Sequence, residues 1–297
     1  MQITPDQQYL DLCNRIINSG IWVENERTGK NVLTVIDASM EYDCSEGHLP
    51  ILTTKRTAYK SAIAEMWGYL RGYSNAADFR RLGTKTWDAN ANAESWQNSE
   101  WCAGPDDMGY CYGRVGSKFT NPVPYQPSHG ELWFELVNQW DDVVEDLCQG
   151  IDNRREIVTF YHPGTMDKAC LPPCMHTHTF SILDGTLYLT SYQRSADVPL
   201  GVPFNMIQCA WLLMVMAKIT GLKPGSVFHK MVNVHIYEDQ IDGIMQQLGR
   251  EPFSHPKLIM RDNIQSWDDL MDEKYGLDEF ILGEYHSHGP IKFPFSV

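Results

Sequence analysis

Asp184-Gly185 sits between two runs that alternate polar and apolar residues, THTFSIL before it and TLYLTSY after it. An Asp-Gly pair flanked in this way predicts a tight β-hairpin, because both central positions of the favoured turn need positive φ. A two-residue turn also fixes the register. Leu183 then faces Thr186, and counting outward brings Cys174 opposite Ser195 and beside Arg194. A guanidinium near a thiol favours the thiolate, the nucleophilic form. Pro172 and Pro173 cannot donate ladder hydrogen bonds, so Cys174 is expected at a strand start. A buried structural cysteine is the plain alternative.

The chain has 297 residues, with 43% hydrophobic and 21% charged, as an ordinary folded protein does. No Gly/Ser/Pro-rich linker, charge block or repeat divides it, so one domain over 1–297 is expected. The formal net charge of -14 argues against general nucleic-acid binding, which needs a basic surface. An anionic substrate would need local arginines working against that field. MQITPDQQYL has no apolar signal core, and eight scattered cysteines fit reduced thiols in a cytoplasm. The run MIQCAWLLMVMAKITG is too short and interrupted to span a bilayer.

Along the chain, Tyr9 to Ile17 has helical spacing, and VLTVIDASMEYD alternates as a strand. Thr53-Thr54-Lys55-Arg56 leads into a helix, AYKSAIAEMWGYLRG, which carries Glu65 among apolar residues. A carboxylate buried there is pushed up toward neutrality, which suits a proton shuttle; snorkelling out or pairing with a lysine is the alternative. Asn75 to Leu82 reads as a short helix, residues 89–126 as irregular, and Leu132 to Cys148 as an amphipathic helix. Arg154-Arg155 opens the strand REIVTFYHP, as solvated charges or as an anion site. Asp197 to Phe204, with Gly201, reads as a loop, and Asn205 as the cap of an apolar helix closed by Gly221. The other reading of Asn205 is an amide facing a ring with N–H beside C=O, as in uracil. His235 and Tyr237 share one strand face and are placed either to meet a sugar hydroxyl or to pack in a satisfied core. Pro252 to Met260 reads as a further strand.

Two other chemistries compete. Cys174, His176 and His178 on one strand face, with Cys170 nearby, invite a zinc reading, although the spacing fits no common zinc pattern. A hydrolase with Cys174 as nucleophile and His235 as base leaves Asn205, Glu65 and the arginines unexplained. A non-enzymatic interaction module would not need such polar groups around a thiol.

PPC, YQRS, DVPLGVPFN and VNVHIY, in that order, resemble the thymidylate synthase family. ERTGK, LTTKR, TKTWDANAN, the Arg154-Arg155 pair, REPF and the terminal PFSV extend the resemblance over nearly the whole chain. It implies an α/β (α+β) fold with a large mixed sheet packed with helices, and a symmetric homodimer formed through the sheets. It implies that Cys174 attacks C6 of dUMP and that C5 takes a one-carbon unit from 5,10-methylenetetrahydrofolate. Glu65 and its waters would then help remove the C5 proton, with no metal involved. By the same resemblance Arg27, Arg194 and Ser195 are phosphate ligands, joined by Arg154 and Arg155 from the partner subunit. Asn205 reads the pyrimidine edge, His235 and Tyr237 meet the ribose, and Tyr112 belongs to the proton network. Lys55, Trp87, Asp197, Gly201 and Phe204 lie on the folate side, and Val297 closes the site.

Met175, Ala58, Asn90, Ser117 and Phe119 depart from the family's common pattern. They bear on a sister activity, dUMP hydroxymethylation, in which water captures the exocyclic methylene and tetrahydrofolate is released. Asn205 suits uracil; a carboxylic side chain there would suit cytosine better.

Overall fold

The computed structural model describes residues 3–26, 28–122 and 134–295. Its strands are β1 Ile21–Asn25, β2 Lys30–Asp43, β3 Phe119–Pro122, β4 Phe134–Val137, β5 Ile157–Thr159, β6 Met175–Leu183, β7 Thr186–Asp197, β8 Lys223–Tyr237, β9 Leu258–Met260 and β10 Phe280–Leu282. The α-helices are α1 Pro5–Ser19, α2 Tyr59–Leu70, α3 Ala76–Leu82, α4 Asp88–Ala91, α5 Glu94–Gln97, α6 Tyr112–Ser117, α7 Gln139–Cys148, α8 Gly201–Thr220, α9 Ile241–Leu248 and α10 Trp267–Met271. Six strands form one mixed sheet in the order β1-β2-β8-β7-β6-β5. Only β7 and β8 run parallel within it. A parallel pair cannot be joined by a hairpin, and α8 is its crossover. Nearly every side chain of α8 is buried, which is why that segment is apolar all round. By length and composition it would pass for a membrane span, but it packs inside the protein. Trp67 of α2, Trp211 of α8 and Phe280 of β10 pack together beside it.

The hairpin turn forms as expected, with Asp184 at φ 49 and Gly185 at φ 69. Leu183 faces Thr186, and the pairing runs regularly back to Thr177 opposite Tyr192. It then slips, because Met175 pairs with Gln193 and leaves His176 as an extra, bulged residue. Cys174 is therefore opposite Arg194, not Ser195: its carbonyl accepts from the Arg194 amide at 2.9 Å. An alternating pattern does not reveal a bulge, so counting from the turn is off by one beyond it.

Other expectations need correcting too. Of the helix predicted over Leu132 to Cys148, residues 132–133 lie outside the described residues, 134–137 form β4, and the helix runs from Gln139. Asn138 stops it upstream, its side chain accepting from the Trp140 amide at 3.2 Å, and Leu136 pairs with Thr120 in a small β3–β4 ribbon. Asn205 is no cap. The helix starts four residues earlier at Gly201, and the Asp197 carboxylate accepts from the Leu200 amide at 3.2 Å just before it. Pro203 is tolerated because it falls in the first turn, where its missing N–H is not needed. Of the stretch 89–126, residues 123–126 lie outside the described residues, and 89–122 are less irregular than composition suggests, for α4, α5, α6 and β3 contribute to them. Only Leu258–Met260 of the Pro252–Met260 stretch is a strand, and only Ile157–Thr159 of REIVTFYHP.

Asp6, in the first turn of α1, is fully buried and pins the loop at Thr53 and Thr54. Its carboxylate accepts from the Thr53 and Thr54 amides at 3.0 and 3.2 Å and from their hydroxyls at 2.8 and 3.0 Å. His255 Nε2 lies 3.0 Å away. This anchor sets the path of the chain into Lys55 and α2.

Candidate active site

The bulge brings a thiol under a clamped guanidinium. Arg194 Nε donates to the Pro173 carbonyl and Nη2 to the Pro172 carbonyl, each at 2.9 Å. Nη2 is also 3.8 Å from Cys174 Sγ. The two prolines withhold donors, but their carbonyls hold the arginine over the half-buried sulfur. From the other side, the Cys174 amide donates to the Tyr112 hydroxyl at 2.8 Å.

Behind Tyr112 stands an aromatic wall. Tyr112 stacks on Tyr69 with centroids 4.3 Å apart and planes 9° from parallel. Trp87 Nε1 donates to the Tyr69 hydroxyl at 3.1 Å, and the Ser117 hydroxyl reaches the Tyr69 and Leu70 carbonyls at 3.1 and 2.9 Å. Burial raises both tyrosines well above the ordinary phenol range, so both are neutral donors at physiological pH.

Glu65 connects this wall to Asn205. Burial pushes its carboxyl up, and hydrogen bonds from Thr86, Gln208 and Tyr69 offset only part of the rise. Gln208 Nε2 donates to Glu65 Oε2 at 2.6 Å, and Gln208 Oε1 accepts from Asn205 Nδ2 at 2.9 Å. The sequence expectation of an elevated glutamate therefore stands, and a path of amides leads from it to Asn205.

Asp197 lies at the rim, where β7 gives way to α8. Burial raises its carboxyl to about 6, against the Leu200 amide, Gln240 and the nearby Lys55 charge. Lys55 is buried, its ammonium on the Pro199 carbonyl and 4.5 Å from the Phe293 ring centre, and desolvation lowers it to about 8. Gly201 sits between Asp197 and Asn205: a Cβ there would lie 3.9 Å from Asp197 Cβ and 3.7 Å from Asn205 Oδ1. Phe204, partly buried, packs on the core in the next turn. On β8, Asn233 pairs with Ser195 and His235 with Asp197. His235 Nδ1 meets Asn233 Oδ1 at 2.8 Å, and its ring lies edge-on to Tyr237 at 5.5 Å. Asn25 Nδ2 approaches the Tyr237 hydroxyl at 3.4 Å.

The zinc reading loses its geometry. The bulge breaks the row of Cys174, His176 and His178, and His178 is buried on Ser191 at 2.8 Å, with burial lowering it to about 3. Among the described residues no cluster of His, Cys, Asp and Glu is arranged to hold a metal. Tyr112 meets Cys174 at its backbone amide, and His235 Nδ1 meets Asn233 Oδ1 at 2.8 Å.

A family model described as thymidylate synthase matches residues 7–297. The chain belongs to the thymidylate synthase family. The thymidylate synthase of Marinomonas sp. (strain MWYL1) is 54% identical over 293 residues, covering 98% of this chain and 100% of that protein. Those of Shewanella frigidimarina (strain NCIMB 400) and Haemophilus influenzae (strain 86-028NP) are 53% and 52% identical, with the same coverage.

Cys174 contacts Tyr112 and Arg194, Tyr69 links Tyr112 to Glu65, Gln208 links Glu65 to Asn205, and Asp197, Gly201, Ser195, His235 and Tyr237 flank them on β7, α8 and β8. Arg154 and Arg155 stand apart and exposed at the approach to β5, and Arg154 has φ 69. Arg27 and Val297 lie outside the described residues. Sequence reasoning missed Tyr69, Thr86 and Gln208. Helical spacing offered the signal for two of them, since Tyr69 follows Glu65 by four and Gln208 follows Asn205 by three.

Proposed function

We propose that the chain is a thymidylate synthase, one catalytic unit over 1–297 that converts dUMP to dTMP in a reducing cytoplasm. The observation that carries this reading is Cys174 held opposite Arg194 at the mouth of the hairpin. Positive charge beside the sulfur favours the thiolate. Its attack on C6 of the pyrimidine makes C5 nucleophilic, which is covalent catalysis in its plainest form. Arg194 and Ser195, with Arg27, hold the substrate phosphate. Asn205 reads the base edge, and His235 and Tyr237 meet the ribose.

The lack of a side chain at Gly201, between Asp197 and Asn205, keeps that side of the site clear for the folate. The Asp197 carboxylate can accept a hydrogen bond from a ring N–H, and its value of about 6 lets it hold a proton near neutral pH. 5,10-methylenetetrahydrofolate supplies the one-carbon unit and the final hydride when bound there. Lys55, Trp87, Asp197, Gly201 and Phe204 hold that side of the site, and Val297 helps close it. Glu65, its carboxyl raised by burial, takes and returns protons through Thr86 and bound water, while Gln208 orients it and Tyr112 steadies the Cys174 loop.

The working form is a homodimer through the large sheets. Ile36, Tyr192 and Val232 are exposed on β2, β7 and β8, which supports a partner on that face. Arg154 and Arg155, exposed on their own subunit, reach the partner's phosphate site. The deciding experiment incubates enzyme, dUMP and methylenetetrahydrofolate and weighs the nucleotide by mass spectrometry. A methyl gain with dihydrofolate is the expected result. A hydroxymethyl gain with tetrahydrofolate overturns it, and normal turnover by Cys174→Ser removes the thiol from the chemistry.

A further inference from the structure

Gln208 is 1% exposed and lies one helical turn after Asn205 on α8. Neither end of its amide is free to turn. Glu65 Oε2 accepts from the Gln208 NH₂ at 2.6 Å, as a carboxylate oxygen does and as the carbonyl oxygen of a neutral acid with its proton on Oε1 also does. Only its carbonyl oxygen is then left for Asn205, which must answer with its own NH₂, at 2.9 Å. The orientation of the Asn205 amide is thus dictated from Glu65, two side chains away. What remains to Asn205 is Oδ1, 3.7 Å from where a Cβ at Gly201 would stand, and one N–H.

We propose that Gln208 is a specificity-determining positioning residue, which locks the Asn205 amide in the orientation that fits uracil and mismatches cytosine. The inference rests on the nucleotide reading given above. Uracil presents N3–H beside C4=O, whereas cytosine presents a bare N3 beside an NH₂. The rings have the same shape, and the two edges differ by exchange of donor and acceptor. An asparagine free to flip satisfies either edge equally, since its amide carries one of each. Discrimination therefore needs a second group that forbids the flip. Gln208 is that group, and Glu65 is what orients it. A mismatched edge leaves two buried polar pairs unmade, enough for roughly a hundredfold difference in binding.

The test is calorimetric titration of dUMP and dCMP into wild type, Gln208→Met and Glu65→Gln. Methionine fills the same volume in α8 and makes no amide hydrogen bonds. A glutamine at 65 can donate as well as accept, which releases Gln208 to turn. In both variants the dCMP-to-dUMP ratio of dissociation constants should fall by at least about tenfold. A merely structural role for Gln208 would weaken both nucleotides together and leave the ratio where it was. An unchanged ratio in either folded variant overturns the proposal, and Glu65→Gln decides alone if Gln208→Met does not fold. Wild type that binds neither nucleotide would overturn the functional reading itself, a different failure from an unchanged ratio.

Discussion

Two buried carboxylates in this molecule behave in opposite ways. Asp6 is fully buried, and burial alone would raise it. Hydrogen bonds from His255 and Thr53 outweigh that and hold the carboxyl below the ordinary aspartate range. Glu65 feels the same penalty but meets only side-chain donors, from Thr86, Gln208 and Tyr69, and it ends above the ordinary glutamate range. Depth does not separate the two. What separates them is the kind of donor. Asp6 has rigid backbone amides and an imidazole fixed on it, so it stays charged and ties α1 to the Thr53–Arg56 loop. Glu65 has only side-chain donors, which do not outweigh its burial, so its neutral form is more accessible than that of an ordinary glutamate. One is a staple and the other a proton carrier.

The largest test of this contrast is Glu65→Gln. It should lower kcat by about 10²–10⁴-fold, the usual worth of a positioned acid–base group. Urea unfolding of the same variant should show no loss of stability, because an amide escapes the desolvation of a charge. Full activity would erase the contrast from the Glu65 side. Asp6→Asn should do the reverse. It should cost about 2–3 kcal/mol in urea unfolding, the worth of hydrogen bonds to a buried charge, while kcat per folded molecule stays near wild type. Preserved stability would show that the loop is held by something else.

The pH dependence of stability should differ in sign. Asp6 binds fewer protons folded than unfolded, so its contribution is full above about pH 4 and is lost as pH falls through its lowered value. Glu65 binds more protons folded, so its contribution falls as pH rises from about 4.3 through its raised value. Denaturation midpoints of each variant, subtracted from wild type across pH, should therefore slope in opposite directions. Parallel slopes would mean that both acids are staples. The smallest effect is expected at Ser117, whose hydroxyl bonds two carbonyls at the end of α2. Ser117→Ala should cost about 1 kcal/mol and leave the pH behaviour of Glu65 unchanged. A shift in that behaviour would extend the proton network to α6.

The two carboxylates were not equally legible in the sequence. Glu65 stands out because it interrupts an apolar helix, a local contradiction. Asp6 raises no flag, since an acid in a helix's first turn is ordinary. Its partners are Thr53, Thr54 and His255, which no short-range pattern connects to it. The hairpin was legible because Asp-Gly dictates its turn, and the crossover helix because it is apolar on every side. The bulge was not, since one extra residue leaves the alternation on either side looking intact. Asn205 misled for a related reason: its fitness as a cap concealed that Asp197 already serves the start of α8. Gln208 was passed over because a buried glutamine matters only through what flanks it.

The extra residue at His176 has a consequence for how faults in this site would show themselves. A ladder has no half-steps. Either the surplus stays at His176 and the sulfur faces the guanidinium, or it migrates toward the prolines and the sulfur jumps a whole rise, about 3.4 Å, to the serine. Alignment along this coordinate is digital, so damage there should split a preparation into fully competent and wholly inert molecules and not slow every molecule a little.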